Sequence, residues 1–402
     1  IGKIVFDKRG NTWVAAEHGL LKISTTETKV FTEKDGLPSI RIQTICEDYE
    51  GNLWVGSLGG GVCMFKDESI VTYNTEDGLS NNKIYSVTTT SKGMLLAGSF
   101  NGIDIYNGKS FKKLDNVKEL KNIPVSCFFE DSRARLWVGT ETEGVFVFEQ
   151  GPSELKLLEK YKKTESSPIV QVFRIVEDKK GNIWVASFAN GLYKINDSGL
   201  EYIGLKNNVA LSKNLTTLYV DSKGILWIGS YNDGVFKFDG TSFSKLDKGN
   251  PLSLNIVFSI SGDEKGNIFF GTQDGGVVIW DGTNFHSLNS KSGICSDLVN
   301  AIMYQNGMLW VGTDKGVNKV TFKEKFEVKS ISYYGVDKGF KATEINQNCI
   351  FADKNGAVWF GTVDGLTRYN PLYDYPNSTP PKLILSDVKL FYEHVNWKNY
   401  AD

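Results

Sequence analysis

One phrase, D-x-x-G-N-x-W-V-G, recurs through the chain and restricts its fold more than any other feature. It reads DKRGNTWVA from Asp7, DYEGNLWVG from Asp48, TSKGMLLAG from Thr90, DSRARLWVG from Asp131 and DKKGNIWVA from Asp178. DSKGILWIG from Asp221, DEKGNIFFG from Asp263, YQNGMLWVG from Tyr304 and DKNGAVWFG from Asp353 complete the series. The fourth positions fall at 10, 51, 93, 134, 181, 224, 266, 307 and 356, giving spacings of 41, 42, 41, 47, 43, 42, 41 and 49 residues. That is the period of a four-stranded propeller blade and is too long for a leucine-rich or ankyrin unit. Each period holds several short alternating segments and no helical pattern, so an all-β propeller is expected.

The phrase has a mechanical reading. An alternating segment such as 42–47 forms the inner strand, and D-x-x-G-N closes a tight hairpin in which Asp bonds the turn backbone and Gly takes positive φ. The segment that follows is the second strand. Its aromatic (Trp13, Trp54, Trp137, Trp184, Trp227, Trp310 or Trp359) supplies buried area between blades, with Leu96 and Phe269 standing in elsewhere. The glycine after it lets the next blade approach. The motif tryptophans are therefore structural.

Composition excludes several functions. Among 402 residues, 45 basic side chains balance 47 acidic ones, and no basic stripe is interleaved with aromatics. A nucleic-acid partner is not expected. The lysines at 112–121 and 156–163 read as solvated outer faces. No apolar stretch approaches the roughly 20 residues of a membrane span, and Ile1-Gly2-Lys3 has no signal-peptide pattern, so any anchor is expected outside this chain. Cys46, Cys63, Cys127, Cys295 and Cys349 have no CxxC pair and no histidines at zinc spacing. They read as small hydrophobes, Cys295 in a loop and the rest in core strands, and no metal or cofactor is expected.

Nine repeats exceed the usual four to eight blades. After the ninth repeat the chain forms a third strand at Gly365–Tyr369 and leaves through Pro371 and Pro376, with no fourth strand of its own. A ring of repeats three to nine would take that strand from Ser69–Tyr73, leaving no edge exposed. The expected division is residues 1–66 as the last two blades of a preceding propeller, 67–375 as a seven-bladed ring, and 376–402 as a linker and the first strand of a β-sandwich. A nine-bladed ring is the alternative.

The phrases at 35–39 (DGLPS), 48–57 (DYEGNLWVGS) and 59–62 (GGGV) resemble the regulator-propeller repeats of sensor ectodomains in Bacteroidetes hybrid two-component systems. PPKLILSDVKL at 380–390 is similar to the opening of the triple-tyrosine sandwich that follows those propellers. The resemblance implies a periplasmic sensor domain that binds an oligosaccharide from glycan breakdown and signals through a membrane helix to a histidine kinase, and it implies dimerisation. Repeats three, four and eight depart from the pattern at Thr90 and Leu96, at Ala134-Arg135, and at Tyr304.

In a propeller, the loops joining second and third strands share one face with the connections entering the inner strands, and rigidly displayed loops are where binding residues gather. Three such loops pair an aromatic with an amide or carboxylate: Phe100-Asn101, Phe188-Ala189-Asn190 and Tyr231-Asn232-Asp233. A pyranose suits that pairing, its C–H face on the ring and its hydroxyls on the polar group. Other repeats have Leu58, Glu141, Gln273, Asp314 and Val363 there. Entry loops add Arg41, Lys83, Asn300, Asn346 and Asn348, with Arg41 and Lys83 as contacts for an acidic ligand. The competing reading makes the polar residues turn formers and the aromatics channel plugs. His18, His286 and His394 are scattered and no nucleophile elbow, HExxH or phosphate loop is present. No catalytic residue is assigned. A protein-interaction scaffold and a glycan lyase or hydrolase remain the alternatives to a sensor.

Overall fold

The computed structural model describes residues 1–25, 27–65, 68–162, 169–206, 209–246, 251–252, 255–375, 380, 389–390 and 393–394. These fall into two compact units, Ile1–Asp67 with Asp374–Asp402, and Glu68–Tyr373.

The recurring turn is built the same way in most repeats. Asp221 Oδ1 accepts the backbone N–H groups of Lys223 and Ile225, each at 2.9 Å, while Oδ2 accepts the indole N–H of Trp227 at 2.9 Å. The indole bond recurs from Trp13 to Asp7 and from Trp137 to Asp131, at 2.7 and 2.8 Å. Trp184 to Asp178 and Trp359 to Asp353 repeat it at 2.8 and 3.0 Å. One carboxylate thus fastens the hairpin turn to the second strand, a link beyond the turn bonding expected from sequence. Where Thr90 replaces Asp, its hydroxyl accepts only the Met94 N–H at 3.3 Å. The turn glycine sits at positive φ, +85° at Gly224, and Ala134 holds the same left-handed position at +57° in the fourth repeat. The glycine after the tryptophan is needed for packing. A Cβ on Gly139 would lie 2.7 Å from Val172 Cγ1, and one on Gly271 2.9 Å from Val299 Cγ1. Val172 and Val299 are the first residues of the next sheets' inner strands; at Gly139 the Cys127 Sγ of its own sheet would lie closer still, at 2.5 Å.

Among the described residues, Glu68–Tyr373 contains seven four-stranded antiparallel sheets. The inner strands of the first four are Ile84–Thr89, Val125–Glu130, Val172–Glu177 and Leu215–Val220. Those of the remaining three are Val257–Gly262, Val299–Gln305 and Ile345–Ala352. Each inner strand neighbours the next, and the seventh neighbours the first. The seventh sheet takes its outer strand from the start of the unit: Ile70–Tyr73 pairs antiparallel with Gly365–Tyr369, Ile70 opposite Tyr369. Tyr73 then stacks on Trp359 at 5.9 Å and meets Tyr106 edge-on at 5.4 Å, which fills the space between the seventh and first sheets. Leu96 and Phe269, the stand-ins for tryptophan, are fully buried.

The seventh inner strand is irregular. Ile345 pairs with Thr362 and Ile350 with Phe360, so five residues on one strand face two on the other, a wide bulge. Other sheets insert a single residue at this point, as between Val125 and Cys127.

The first unit has a four-stranded sheet, Lys3–Phe6, Thr12–Ala16, Gly19–Ile23 and Thr28–Phe31, and a three-stranded one, Ile42–Glu47, Leu53–Ser57 and Gly61–Phe65. Trp13 packs between them against Phe31 and Phe65. Cys46, Trp54 and Met64 stand opposite one another in the second sheet, and all three are exposed, Trp54 to 38%. This corrects two expectations, that every motif tryptophan is buried and that the strand cysteines are core residues: no sheet covers this face among the described residues. The strand expected over 382–390 falls outside the described residues apart from Lys389–Leu390, which pairs with Glu393–His394.

Candidate functional site

The loops after the second strands and the connections into the inner strands are joined by backbone bonds. Phe188 N–H donates to Gln171 C=O and Tyr231 N–H to Asn214 C=O, both at 2.9 Å, and Glu141 and Gln273 do the same to Pro124 and Ile256. The two loop sets therefore form one face of the ring.

On that face, Phe188 and Tyr231 come from adjacent sheets and meet edge to face, ring centroids 5.7 Å apart at 86°. Phe173, the second residue of the third inner strand, packs on Phe188 in the same manner at 5.8 Å. Edge-to-face rings with one member open to water, Tyr231 at 38% exposure, leave a rigid aromatic step on the surface. Asn232 beside it is exposed, and Asp233 lies 3.8 Å from Lys245 while its N–H donates to Ser230 Oγ. Asn190 Oδ1 accepts from Ser187 Oγ at 3.4 Å.

The other candidates are placed differently. Phe100 is 47% exposed, and the Asn101 amide donates to Ser80 C=O at 2.8 Å, which holds the loop. Lys83 is exposed, its N–H closing a turn with Asn81 Oδ1. Asn300 and Asn346 occupy the second position of their inner strands and donate to Ile345 C=O and Ile84 C=O, at 2.9 and 2.7 Å. Ser126 and Thr216, at the same position, bond the carbonyls of Val172 and Val257. In these four sheets the polar position ties one sheet to the next, and the Asn300 and Asn346 donors are engaged in it. Asn348, at φ +56°, donates to Thr216 C=O at 3.1 Å and accepts from Thr217 at 3.2 Å, while Gln347 donates to Thr216 and Phe258 carbonyls. The bulge of the seventh strand therefore bridges the central channel to the fourth and fifth sheets. Arg41 belongs to the other compact unit.

Sequence reasoning passed over Phe173, Tyr85 and Glu141. Tyr85 and Phe173 take the second inner-strand position with aromatic rings in place of the polar tie, a contrast that aligned repeats display. Glu141, at the loop position of Phe188 and Tyr231, is pushed up from the ordinary carboxylate range by burial, and burial followed by the nearby Glu141 charge raises the Tyr85 phenol.

Residues 36–59, 166–189 and 211–232 match the family described as two component regulator propeller. Three segments of the chain thus carry the two-component regulator propeller repeat. The chain is 25% identical over 374 residues to histidine kinase P4 of Formosa agariphila, covering 88% of this chain and 24% of that protein. Its fold is similar to the extracellular domain of the putative hybrid two component system BT3049 from B. thetaiotaomicron: TM-score 0.76, 22% identity, 92% of this chain and 51% of that one. It also resembles virginiamycin B lyase from Staphylococcus aureus, at TM-score 0.56, 14% identity, 74% of this chain and 97% of the lyase. Such likenesses at low identity show the fold alone. The chain thus spans about a quarter of the curated relative and about half of the first of these structures.

Proposed function

We propose that this regulator propeller is part of the extracytoplasmic, periplasmic sensor of a hybrid two-component histidine kinase and that it binds an oligosaccharide released by glycan breakdown. The observation that carries the ligand class is the aromatic step of Phe188 and Tyr231 with Asn232 beside it, on a face whose loops are bonded to a rigid ring. A sugar ring packs its C–H face on such a step and takes hydrogen bonds from the neighbouring amide. The repeats and the relatives, a histidine kinase and an extracellular domain of a hybrid system, support the sensor reading. In this reading Glu68–Tyr373 is a complete seven-bladed propeller, residues 1–66 are the last two blades of a preceding one, and 376–402 opens a β-sandwich that passes the signal to a kinase across the membrane, in a homodimer.

Isothermal titration calorimetry against plant, host and microbial oligosaccharides tests the proposal. One glycan class is expected to bind, with Phe188→Ala and Tyr231→Ala each weakening it at least tenfold. Unchanged affinity in both variants would remove the aromatic step from the site, and formation of a cleaved product would replace the sensor with a lyase or hydrolase.

A further inference from the structure

Beyond the bridge made by Gln347 and Asn348, towards the far ends of the inner strands, the ring holds a partly open cavity of about 350 Å³. It is lined from the third to the seventh sheets, by Arg174, Tyr219, Ser259, Met303, Asn348 and Phe351 among others. Tyr304, Gln305 and Ala352, at the last positions of their strands, are part-exposed.

Arg174 is out of place there by the logic of the repeat. Its position, opposite the packing glycine of the second strand, is held by Thr44, Ser86, Cys127, Thr217, Ser259 and Ala301 in six other repeats. In the third sheet Arg174 stands there, opposite Ala186; the first repeat, in the other compact unit, has Lys3 opposite Ala15. The side chain is mostly buried, and among the described residues it makes no hydrogen bond or ion pair; the charge-bearing groups facing it are the thiols of Cys127 and Cys349. Burial pushes both thiols up to about 12, so neither supplies a counter-charge. Burial also lowers Arg174 itself, yet a guanidinium stays charged in proteins. An unpaired cation in a partly dry cavity is costly to keep, and its five donors form a fork that fits a carboxylate.

We infer that this cavity binds a small organic carboxylate, held by Arg174 in a bidentate pair, at a site separate from the aromatic step on the opposite face. The remaining lining suits a compact, partly polar body. Tyr219, Ile302, Met303 and Ile350 provide apolar walls. Ser259 and Ser261 accept backbone N–H groups of Ile302 and Tyr304, at 3.1 and 3.0 Å, and keep their own protons to donate. The volume is at the lower end of ligand sites, the size of one sugar or one aromatic ring rather than a chain.

Calorimetry on the whole chain with sodium D-glucuronate, sodium 4-hydroxybenzoate and sodium lactate, with D-glucose and sodium sulfate as controls, tests this. At least one carboxylate is expected to bind, at least tenfold more tightly than glucose or sulfate. Arg174→Gln should abolish that binding while melting no lower than the wild type, and Phe188→Ala should leave it unchanged. Failure of all three carboxylates, equal binding by sulfate, or retained binding in Arg174→Gln would overturn the inference. Loss of binding in Phe188→Ala alone would move the carboxylate to the other face and equally overturn it.

Discussion

The bond between Asp221 and Trp227 offers a sharp test of what holds a sheet together. Both side chains are 4% exposed, and the 2.9 Å contact joins the hairpin turn to the second strand. A hydrogen bond to a charged acceptor contributes about 1.5–3 kcal/mol, and the two turn N–H bonds add about 0.5–1 kcal/mol each once water replaces the carboxylate. Asp221→Ala should therefore cost about 2.5–5 kcal/mol, at the large end of single-substitution effects. Trp227→Phe removes the donor and leaves the turn bonds intact. The double mutant should show a coupling energy of about 1.5–3 kcal/mol, because each single change removes the same bond. Asp263 is the internal control for coupling: the Asn267 amide bonds it at 2.6 Å and Phe269 stands where the indole would be, so Asp263→Ala should cost about 2–4 kcal/mol but show no coupling to a change at Phe269. The measurement is equilibrium urea unfolding followed by tryptophan fluorescence and far-UV circular dichroism. A coupling below about 0.5 kcal/mol would refute the view that carboxylate and indole act as one unit.

Further perturbations probe other links. Ala134→Gly should relieve the left-handed strain at φ +57° and stabilise the protein by about 0.5–1 kcal/mol after the glycine's greater unfolded-state freedom is counted, seen as a higher urea midpoint. Gly361→Ala would place a Cβ 2.5 Å from Ile84 C=O, where the seventh sheet meets the first, and should lower stability by roughly 2–3 kcal/mol in the same assay. Asp48 is held down to about 2, first by the Trp54 indole bond, and Asp7 and Asp178 are lowered because their indole, amide and backbone bonds outweigh burial. Lowered carboxyls stabilise the fold fully above their unfolded value near 4 and lose that contribution as pH falls through the folded value, so melting temperatures should drop between about pH 4 and pH 2. With iodoacetamide at pH 8 the exposed Cys46 should react in the native protein, whereas Cys127 and Cys349 should react only after unfolding, as peptide mass mapping would show.

The repeat made much of the fold legible. The turn glycines and the buried second-strand aromatics follow from steric and hydrogen-bond needs within one period, and the pairing of the strand at Ile70–Tyr73 with the last sheet follows from the need to close the series without an exposed edge. The bond from Asp to the indole was hidden because it spans six residues and two strands, although repeat three loses both partners together at Thr90 and Leu96. The candidate face was only half legible. Aromatic loops stood out, but the amides at Asn101, Asn300 and Asn346 look identical in sequence whether they meet a ligand or a backbone carbonyl. The seventh-strand bulge left a trace in the 49-residue spacing, and only three dimensions reveal that it bridges the channel. Arg174 was legible in principle, as a large charged residue in a column that holds small ones in six repeats and Lys3 in the first.

The pairing of Ile70–Tyr73 with Gly365–Tyr369 also determines how the ring carries load. Asn370 N–H bonds Ser69 C=O at 2.7 Å, so the chain enters and leaves the ring side by side, at one end of one strand pair. Tension between the preceding and following segments would meet this pair end-on and open it bond by bond from Ser69, as a zip opens, instead of shearing all its bonds at once. Six of the seven sheets stand off that line of force. A pull on the two ends is therefore borne by one strand pair and leaves the other six sheets unloaded.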